Sequence, residues 1–344
     1  MGLIIGVTAL NVPLYAASGT EGASFLDIPV GARPAALGSA YSALSSDAYA
    51  SVWNPAGLGF VQQSEVAAQH LSYLESTHYE YLGLAQPINA HSAFGASVQY
   101  LGSGDIAGTD NFGNSIGNYS SYFAAYSAAY SYRFGEIFSI GSTARWINAG
   151  IDGFSANAYA ADVGALFRPA EAWSFGATVA NIGSKLTFLD TGDSLPLAGH
   201  LSAAYQPTIH WTLAAEVVQE ESGFTSGRGG IEWRPIPMLA LRAGYRSDTV
   251  QQLSPIAGMS AGIGISLWGS EFSYAWLPLG DLGSGQYFSL VIRFGRETEK
   301  RRNLIYYQSI QGHAQRAGDG PSDADLEEII QLIAAPNEEP VAQR

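Results

Sequence analysis

The chain has no cysteine and, in 344 residues, only two lysines, Lys185 and Lys300. Without thiols there is no disulfide staple, cysteine zinc site, iron–sulfur cluster or thiol nucleophile. The same absence suits an oxidising compartment whose proteins avoid stray thiols. Charge is scarce too: Asp, Glu, Lys and Arg make up 13% of residues, about half the ~25% of soluble domains. The net balance is −14, and no basic cluster occurs before residue 296, which argues against nucleic acid as a partner. The composition is not that of a disordered chain, because 47% of residues are hydrophobic and 12% aromatic. After the first twenty residues, no apolar run reaches the 18 or so residues of a helical membrane span. If this chain crosses a membrane, it must do so as strands.

What is present begins with Leu3 to Ala17, an uncharged, mostly apolar stretch that ends in Ala16-Ala17-Ser18. It reads as the apolar core of a signal peptide over residues 1–18, although the usual basic flank is missing. From about residue 64 the sequence takes on a period of two. Tyr122, Ala124, Tyr126, Ala128, Tyr130 and Tyr132 share one face, and Phe123, Ala125, Ser127, Ala129, Ser131 and Arg133 share the other. Fourteen such segments are predicted. They cover 64–74, 77–87, 90–101, 119–133, 136–149, 156–168, 172–182, 196–206, 210–220, 226–235, 238–247, 258–268, 270–278 and 285–295. Most have the roughly 9–11 residues that a tilted strand needs to cross a bilayer.

The connections sort by parity. Even-numbered ones are tight, as at Pro87-Ile88-Asn89, Phe134-Gly135 and Pro235-Ile236-Pro237. Most odd-numbered ones are longer: 102–118, 183–195, 248–257 and 279–284. Short turns at one end and long loops at the other are the pattern of an outer-membrane barrel, and an even strand count brings both ends of the wall to the short-turn side. A sandwich or a propeller has no reason to sort its loops this way. Tyr79, Tyr81, Tyr100, Trp146, Tyr159, Trp173, Tyr205, Trp211, Trp233, Tyr245, Trp268 and Trp276 lie towards segment ends, as an aromatic girdle requires. The last strand, Gln286 to Phe294, alternates and ends in an aromatic residue, but the chain continues beyond it for fifty residues.

Residues 22–60 do not alternate. Ala35–Tyr49 is compatible with a helix, and Ser45, Ser46 or Asp47 is suited to cap a second short helix before Trp53. The run VGARPAALGSAYSALSSDAYASVWNPAGLG resembles the N-terminal signature of the PorV/PorQ family of outer-membrane proteins, which are similar to FadL-type transporters. Its matching residues include Gly31, Arg33, Gly38, Tyr41, Asp47, Trp53, Asn54, Pro55, Ala56 and Gly57. The resemblance implies a barrel of fourteen antiparallel strands whose N-terminal segment, 19–62, is a hatch, with Asn54, Pro55 and Ala56 inside the barrel. Barrel size independently asks for such a segment, because fourteen strands enclose a lumen that is either wet or plugged. The alternative reading of residues 22–60 is a structural cap beneath the barrel.

If the apolar faces look outward, the lumen receives Arg145, Asp162, Glu216, Glu232, Arg242, Arg246 and Arg293. Glu232 and Arg242 are nearly symmetric about the Pro235-Ile236-Pro237 turn, and Arg145 and Asp162 flank 150–155 in the same way. These charges can pair across strands, can anchor the hatch through Arg33 or Asp47, or can meet a ligand. No motif for a nucleotide, a metal or a catalytic serine is present. His70, His78 and His91 lie near Ser64, Ser72, Ser76 and Ser92, which in so serine-rich a chain reads as chance. The expectation is therefore a non-enzyme without cofactor or metal.

The tail, 296–344, holds 15 of the 46 charged residues. Within it, residues 322–333 read as one capped amphipathic helix, with Leu326, Ile329, Ile330 and Ile333 on a stripe. The expected whole is an all-β, 14-stranded transmembrane barrel (63–295) with an N-terminal hatch and a short helical tail, both termini periplasmic. By resemblance to PorV it binds exported cargo or a secretion component. By resemblance to FadL it passes a hydrophobic ligand. Its other partner is outer-membrane lipid.

Overall fold

The computed structural model describes residues 21–74, 76–248, 255–280 and 283–295. Compact units divide at Arg296. The predicted signal peptide (1–18) and the predicted tail helix lie outside the described residues.

The described chain is a closed antiparallel barrel of fourteen strands. They are β1 (Ser64–Ser72), β2 (His78–Pro87), β3 (Ser92–Gly102), β6 (Ser121–Phe134), β7 (Phe138–Ile151), β8 (Phe154–Ala170), β9 (Trp173–Gly183), β12 (Ala198–Thr208), β13 (Trp211–Glu220), β14 (Thr225–Ile236), β15 (Leu239–Arg246), β16 (Met259–Leu267), β17 (Ser270–Pro278) and β18 (Ser284–Phe294). Two hairpins stand outside the barrel sheet: β4 (Ile106–Thr109) with β5 (Ser115–Tyr119), and β10 (Leu186–Phe188) with β11 (Thr191–Asp193). The barrel closes where β1 pairs with β18, from Ser64 opposite Phe294 to Ser72 opposite Gln286.

Each predicted segment coincides with one barrel strand, because burial on one face and exposure on the other forces the two-residue period. The burial pattern of β6 alternates from Ala125 onward, with Ser127, Ala129 and Ser131 inside and Tyr126, Tyr130 and Tyr132 outside. At the short turns carrying Pro169, Pro207 and Pro235 the ladder shifts register. Proline has no N–H to give the ladder, so it is tolerated where the pairing is already ending.

The structure departs from these expectations in several places. The loop left between two predicted segments at 150–155 is mostly strand: Asp152 and Gly153, at φ 46° and 80°, form a two-residue turn between two long strands. Both central residues have positive φ, as the favoured hairpin turn demands. Tyr79 and Tyr81 are not in the girdle but buried on the inner face. Tyr81 donates to the Ala48 carbonyl (2.6 Å), and the Tyr79 hydroxyl accepts from Gln99 (2.9 Å). Finally, Ala35–Tyr49 is not one helix. Helix α1 covers Ala32–Ala36 and α2 covers Ala50–Trp53. Gly38 and Ser39 both have φ 63°, which ends α1, and a Cβ on Gly38 would lie 2.5 Å from the Tyr245 backbone.

Residues 21–61 run inside the wall. They begin at the long-loop end, where the Gly22 N–H donates to the Ser194 carbonyl (2.9 Å), and leave at the short-turn end to enter β1. The start of this segment was expected on the short-turn side. The described chain instead traverses the lumen lengthwise, because its contacts pass from the 184–197 loop down to Ser139 and Arg133 beside Gly59.

Candidate functional site

The inner segment meets the wall in two zones. The first spans Gly31 to Tyr49 and is held by charge. Glu232 on β14 accepts a bidentate pair from Arg33 at 2.9 and 3.1 Å, together with Arg242 at 2.6 Å and Arg234 at 3.1 Å. Arg242 also reaches Glu271 on β17. Glu232 and Arg242 face each other directly in the ladder, the register that symmetry about the Pro235–Pro237 turn suggests. Arg33 extends the network to Tyr41 (3.3 Å), whose hydroxyl donates to Asp47. Burial disfavours the Arg33 charge, but Glu232 outweighs it and holds the guanidinium well above its ordinary range. Burial pushes Asp47 up, against the Tyr41 hydrogen bond and the Arg33 charge.

Two further carboxylates accept from the segment's backbone. Glu216 takes the Tyr41 and Ser42 N–H groups at 3.1 and 2.9 Å, with His200 on its other oxygen at 2.8 Å. Glu65 takes the Ala48 N–H at 3.3 Å and pairs with Arg293 at 2.9 Å. A loop inside a barrel has orphaned N–H groups, and ionised acceptors satisfy them strongly.

The second zone, Asn54 to Phe60, is held by shape. Asn54 is fully buried. Its Oδ1 accepts from the Ala56 N–H (3.1 Å), and its Nδ2 donates to the Ser42 (3.3 Å) and Ala165 (3.1 Å) carbonyls. One side chain thus closes its own turn and ties it to β8. Pro55 follows at the first position of a short 3-10 helix, Pro55–Phe60, where its missing N–H costs nothing. The wall makes room with paired glycines: Gly141 on β7 faces Gly164 on β8. A Cβ at Gly141 would lie 2.4 Å from the Pro55 carbonyl carbon, and one at Gly164 would lie 2.1 Å from Asn54 Oδ1. Gly57 is still tighter, with its hypothetical Cβ 1.5 Å from the Ser45 carbonyl oxygen. Trp53 joins the zones, donating to the Val30 carbonyl (2.9 Å) and meeting the Tyr41 ring edge-on at 5.9 Å.

The structure therefore gathers Arg33, Asp47, Trp53, Asn54, Pro55, Ala56 and Gly57 into one assembly with Glu216, Glu232, Arg242 and Arg293. The other expected lumen charges pair within the wall. Arg145 reaches Asp162 (2.7 Å) diagonally rather than directly, since Arg145 faces Ala160. Asp162 also accepts the Asn181 N–H (2.7 Å) at a bulge where Asn181 has φ 63°. Arg246 pairs with Asp248 beyond its strand end (2.6 Å). Sequence reasoning passed over Glu65, Glu271, Arg234 and the glycine pair. Glu65 and Glu271 do stand in inward register, which a strict alternation count would have flagged. The need for glycine at 141 and 164 has no local signal.

The described chain is thus a closed fourteen-stranded barrel with its own N-terminal segment inside the wall. The structure is similar to the toluene transporter TbuX of Ralstonia pickettii (10% identity, 77% of this chain and 98% of that one, TM-score 0.57). It is also similar to the monoaromatic hydrocarbon channel CymD (12% identity, 79% and 99%, TM-score 0.58) and to the toluene transporter TodX of P. putida (12%, 78% and 99%, TM-score 0.54). At these identities the likeness is one of fold. No curated protein matches the sequence. A sequence model described as "Type IX secretion system protein PorV" matches residues 16–209. The chain belongs to the PorV family.

Proposed function

We propose that this protein is an outer-membrane barrel that serves protein secretion as an adaptor, binding exported cargo or a component of a type IX system, with residues 19–62 as a fixed plug. The observation that carries the reading is how firmly the wall holds the inner segment. The inner segment bonds to β1, β2, β8, β13, β14, β16 and β18, so the wall grips it on all sides. A channel that opens by displacing such a segment must break the Glu232 network and the Asn54 ties together. Membership of the PorV family agrees with a role outside conduction.

The outer face supports the membrane assignment. Tyr126, Tyr130, Trp146, Trp173, Trp211, Trp233, Phe272 and Trp276 are exposed there, and in water such a belt would drive aggregation. Two apolar grooves of about 700 and 820 Å³ are cut into that face where small residues such as Ala128, Ala144, Ala215 and Gly229 replace rings. They are candidate contact points for a partner within the membrane. The FadL-like alternative, passage of a hydrophobic small molecule, draws on the shared fold.

Affinity purification of the full-length protein from native outer membranes, with bound proteins and lipids identified, separates the two. Co-purification of a secretion translocon or its cargo supports the adaptor. Bound fatty acid or hydrocarbon alone overturns it in favour of transport.

A further inference from the structure

The outer face of β1 and β2 carries an ionisable group among exposed aromatic and aliphatic side chains. His70 and Ser72 are two residues apart on β1 and so point to the same side, and Glu80 faces His70 from β2. His70 Nδ1 lies 2.6 Å from Glu80 Oε1, and His70 Nε2 lies 3.3 Å from Ser72 Oγ. His70 and Glu80 are 49% and 44% exposed, so the group opens outward, away from the inner segment.

The chemistry follows from the two nitrogens. A carboxylate accepts only, so Nδ1 carries the hydrogen and donates to Glu80. Nε2 is then left with its lone pair towards the Ser72 hydroxyl. This is the order nucleophile, base and orienting acid that acyl transfer requires, and a loose 3.3 Å contact is common before substrate binds. Ser72 is flanked in the ladder by His78 on one side and Gln286 on the other.

Position selects the substrate. The row holding His70 and Glu80 continues through Phe288 and Tyr274 on one side and Tyr100 on the other, and the row holding Ser72 continues to Trp276. These aromatics mark the border between hydrocarbon and headgroups, where the ester bonds of membrane lipids lie. An ionisable pair facing lipid is costly and, where it persists, reads as functional.

We propose that Ser72, His70 and Glu80 form an acyl-ester hydrolase site on the outer wall, acting on an acyl ester of a membrane lipid. The inference rests on the outer-membrane reading above but not on the adaptor role. Ser72 Oγ attacks the ester carbonyl carbon while its proton passes to His70 Nε2. The carbon–oxygen bond to the alcohol breaks, and His70 returns the proton to the departing oxygen. Water, deprotonated by His70, then attacks the acyl-Ser72 carbonyl. The bond from the acyl carbon to Ser72 Oγ breaks, His70 returns the proton to Oγ, and the fatty acid leaves. The net reaction consumes one ester and one water and needs no further reactant.

Two measurements on the full chain test it. In detergent, a fluorophosphonate probe should label Ser72, located by peptide mass spectrometry, and labelling should vanish in Ser72→Ala and His70→Ala. In vesicles of phosphatidylethanolamine and phosphatidylglycerol, fatty-acid release should fall about a thousandfold or more in Ser72→Ala and about a hundredfold or more in Glu80→Gln. Ser76→Ala should leave both unchanged, and heat-modifiable gel mobility checks that each variant is folded. A short-chain p-nitrophenyl ester, run in parallel, tells an esterase restricted to membrane lipid from a general one. A folded protein that neither takes the probe nor releases acid or nitrophenol overturns the site. Protein that labels at Ser72 but does not float with vesicles overturns the membrane reading instead.

Discussion

The two zones of the inner segment are neighbours in sequence and opposites in physics. From Gly31 to Tyr49 the wall supplies charge: Glu232, Glu216 and Glu65 reach inward to Arg33 and to backbone N–H groups. From Asn54 to Phe60 it supplies absence, in the glycines of β7 and β8 against which the turn is pressed. A charged zone fails when one partner is removed, because the others remain buried and unpaired. A shape-held zone fails when anything is added, because the interior cannot expand to receive it. The lesson is that one inner segment can be vulnerable to deletion at one end and to insertion at the other.

Glu232→Gln should give the largest effect. It leaves Arg33, Arg234 and Arg242 without their shared carboxylate, at a cost of about 3–5 kcal/mol. The temperature at which folded barrel disappears from unboiled gels should drop, and protease should reach the inner segment. Gly164→Val should follow, at about 1–3 kcal/mol, with the same readouts and with the charged zone intact. If Gly164→Val were tolerated while Glu232→Gln was not, the glycine pair would be incidental and the comparison would collapse to charge alone.

A third change asks whether charge at the water's edge behaves like charge inside. Arg246 and Arg228 hold Asp248 beyond the end of β15, and hydrogen bonding and charge from Arg246 outweigh burial, bringing its carboxyl down to about 2. A carboxyl lowered on folding stabilises the fold above its unfolded value, near 4, and that contribution is lost as pH falls through about 2. Over that window the shift corresponds to about 2 kcal/mol. Acid melting of wild type against Arg246→Met should show the difference narrowing as pH drops from 4 towards 2. A constant difference would mean that the pair acts through packing and not charge.

The barrel was readable from sequence because alternation is a one-dimensional signal. Each strand of β6 type shows an exposed face on one side and the lumen on the other, whatever its neighbours do. Turn prolines such as Pro169 and Pro235 placed the short turns for a reason equally local. The opposition of Glu232 and Arg242 could be counted across such a turn, since two residues equidistant from a hairpin must meet. Where locality ended, so did the reading. Tyr79 and Tyr81 carry the composition of a girdle, yet their register turns them inward. Asp152-Gly153 is a tight turn hidden in what composition alone presents as a loop. The direction in which residues 21–61 thread the lumen depends on contacts with residues over a hundred positions away.

His70, Ser72 and Glu80 show the same divide. In sequence they are a histidine, a serine and a glutamate among many. The strand period puts the first two on one face, but only the pairing of β1 with β2 brings Glu80 to His70 Nδ1. Sequence by itself determined the wall, because hydrophobic periodicity answers to one residue's surroundings at a time. The tertiary structure decided what the wall encloses and displays, because a buried ion pair, a glycine cradle or a hydrogen-bonded triad exists only when distant residues share one place.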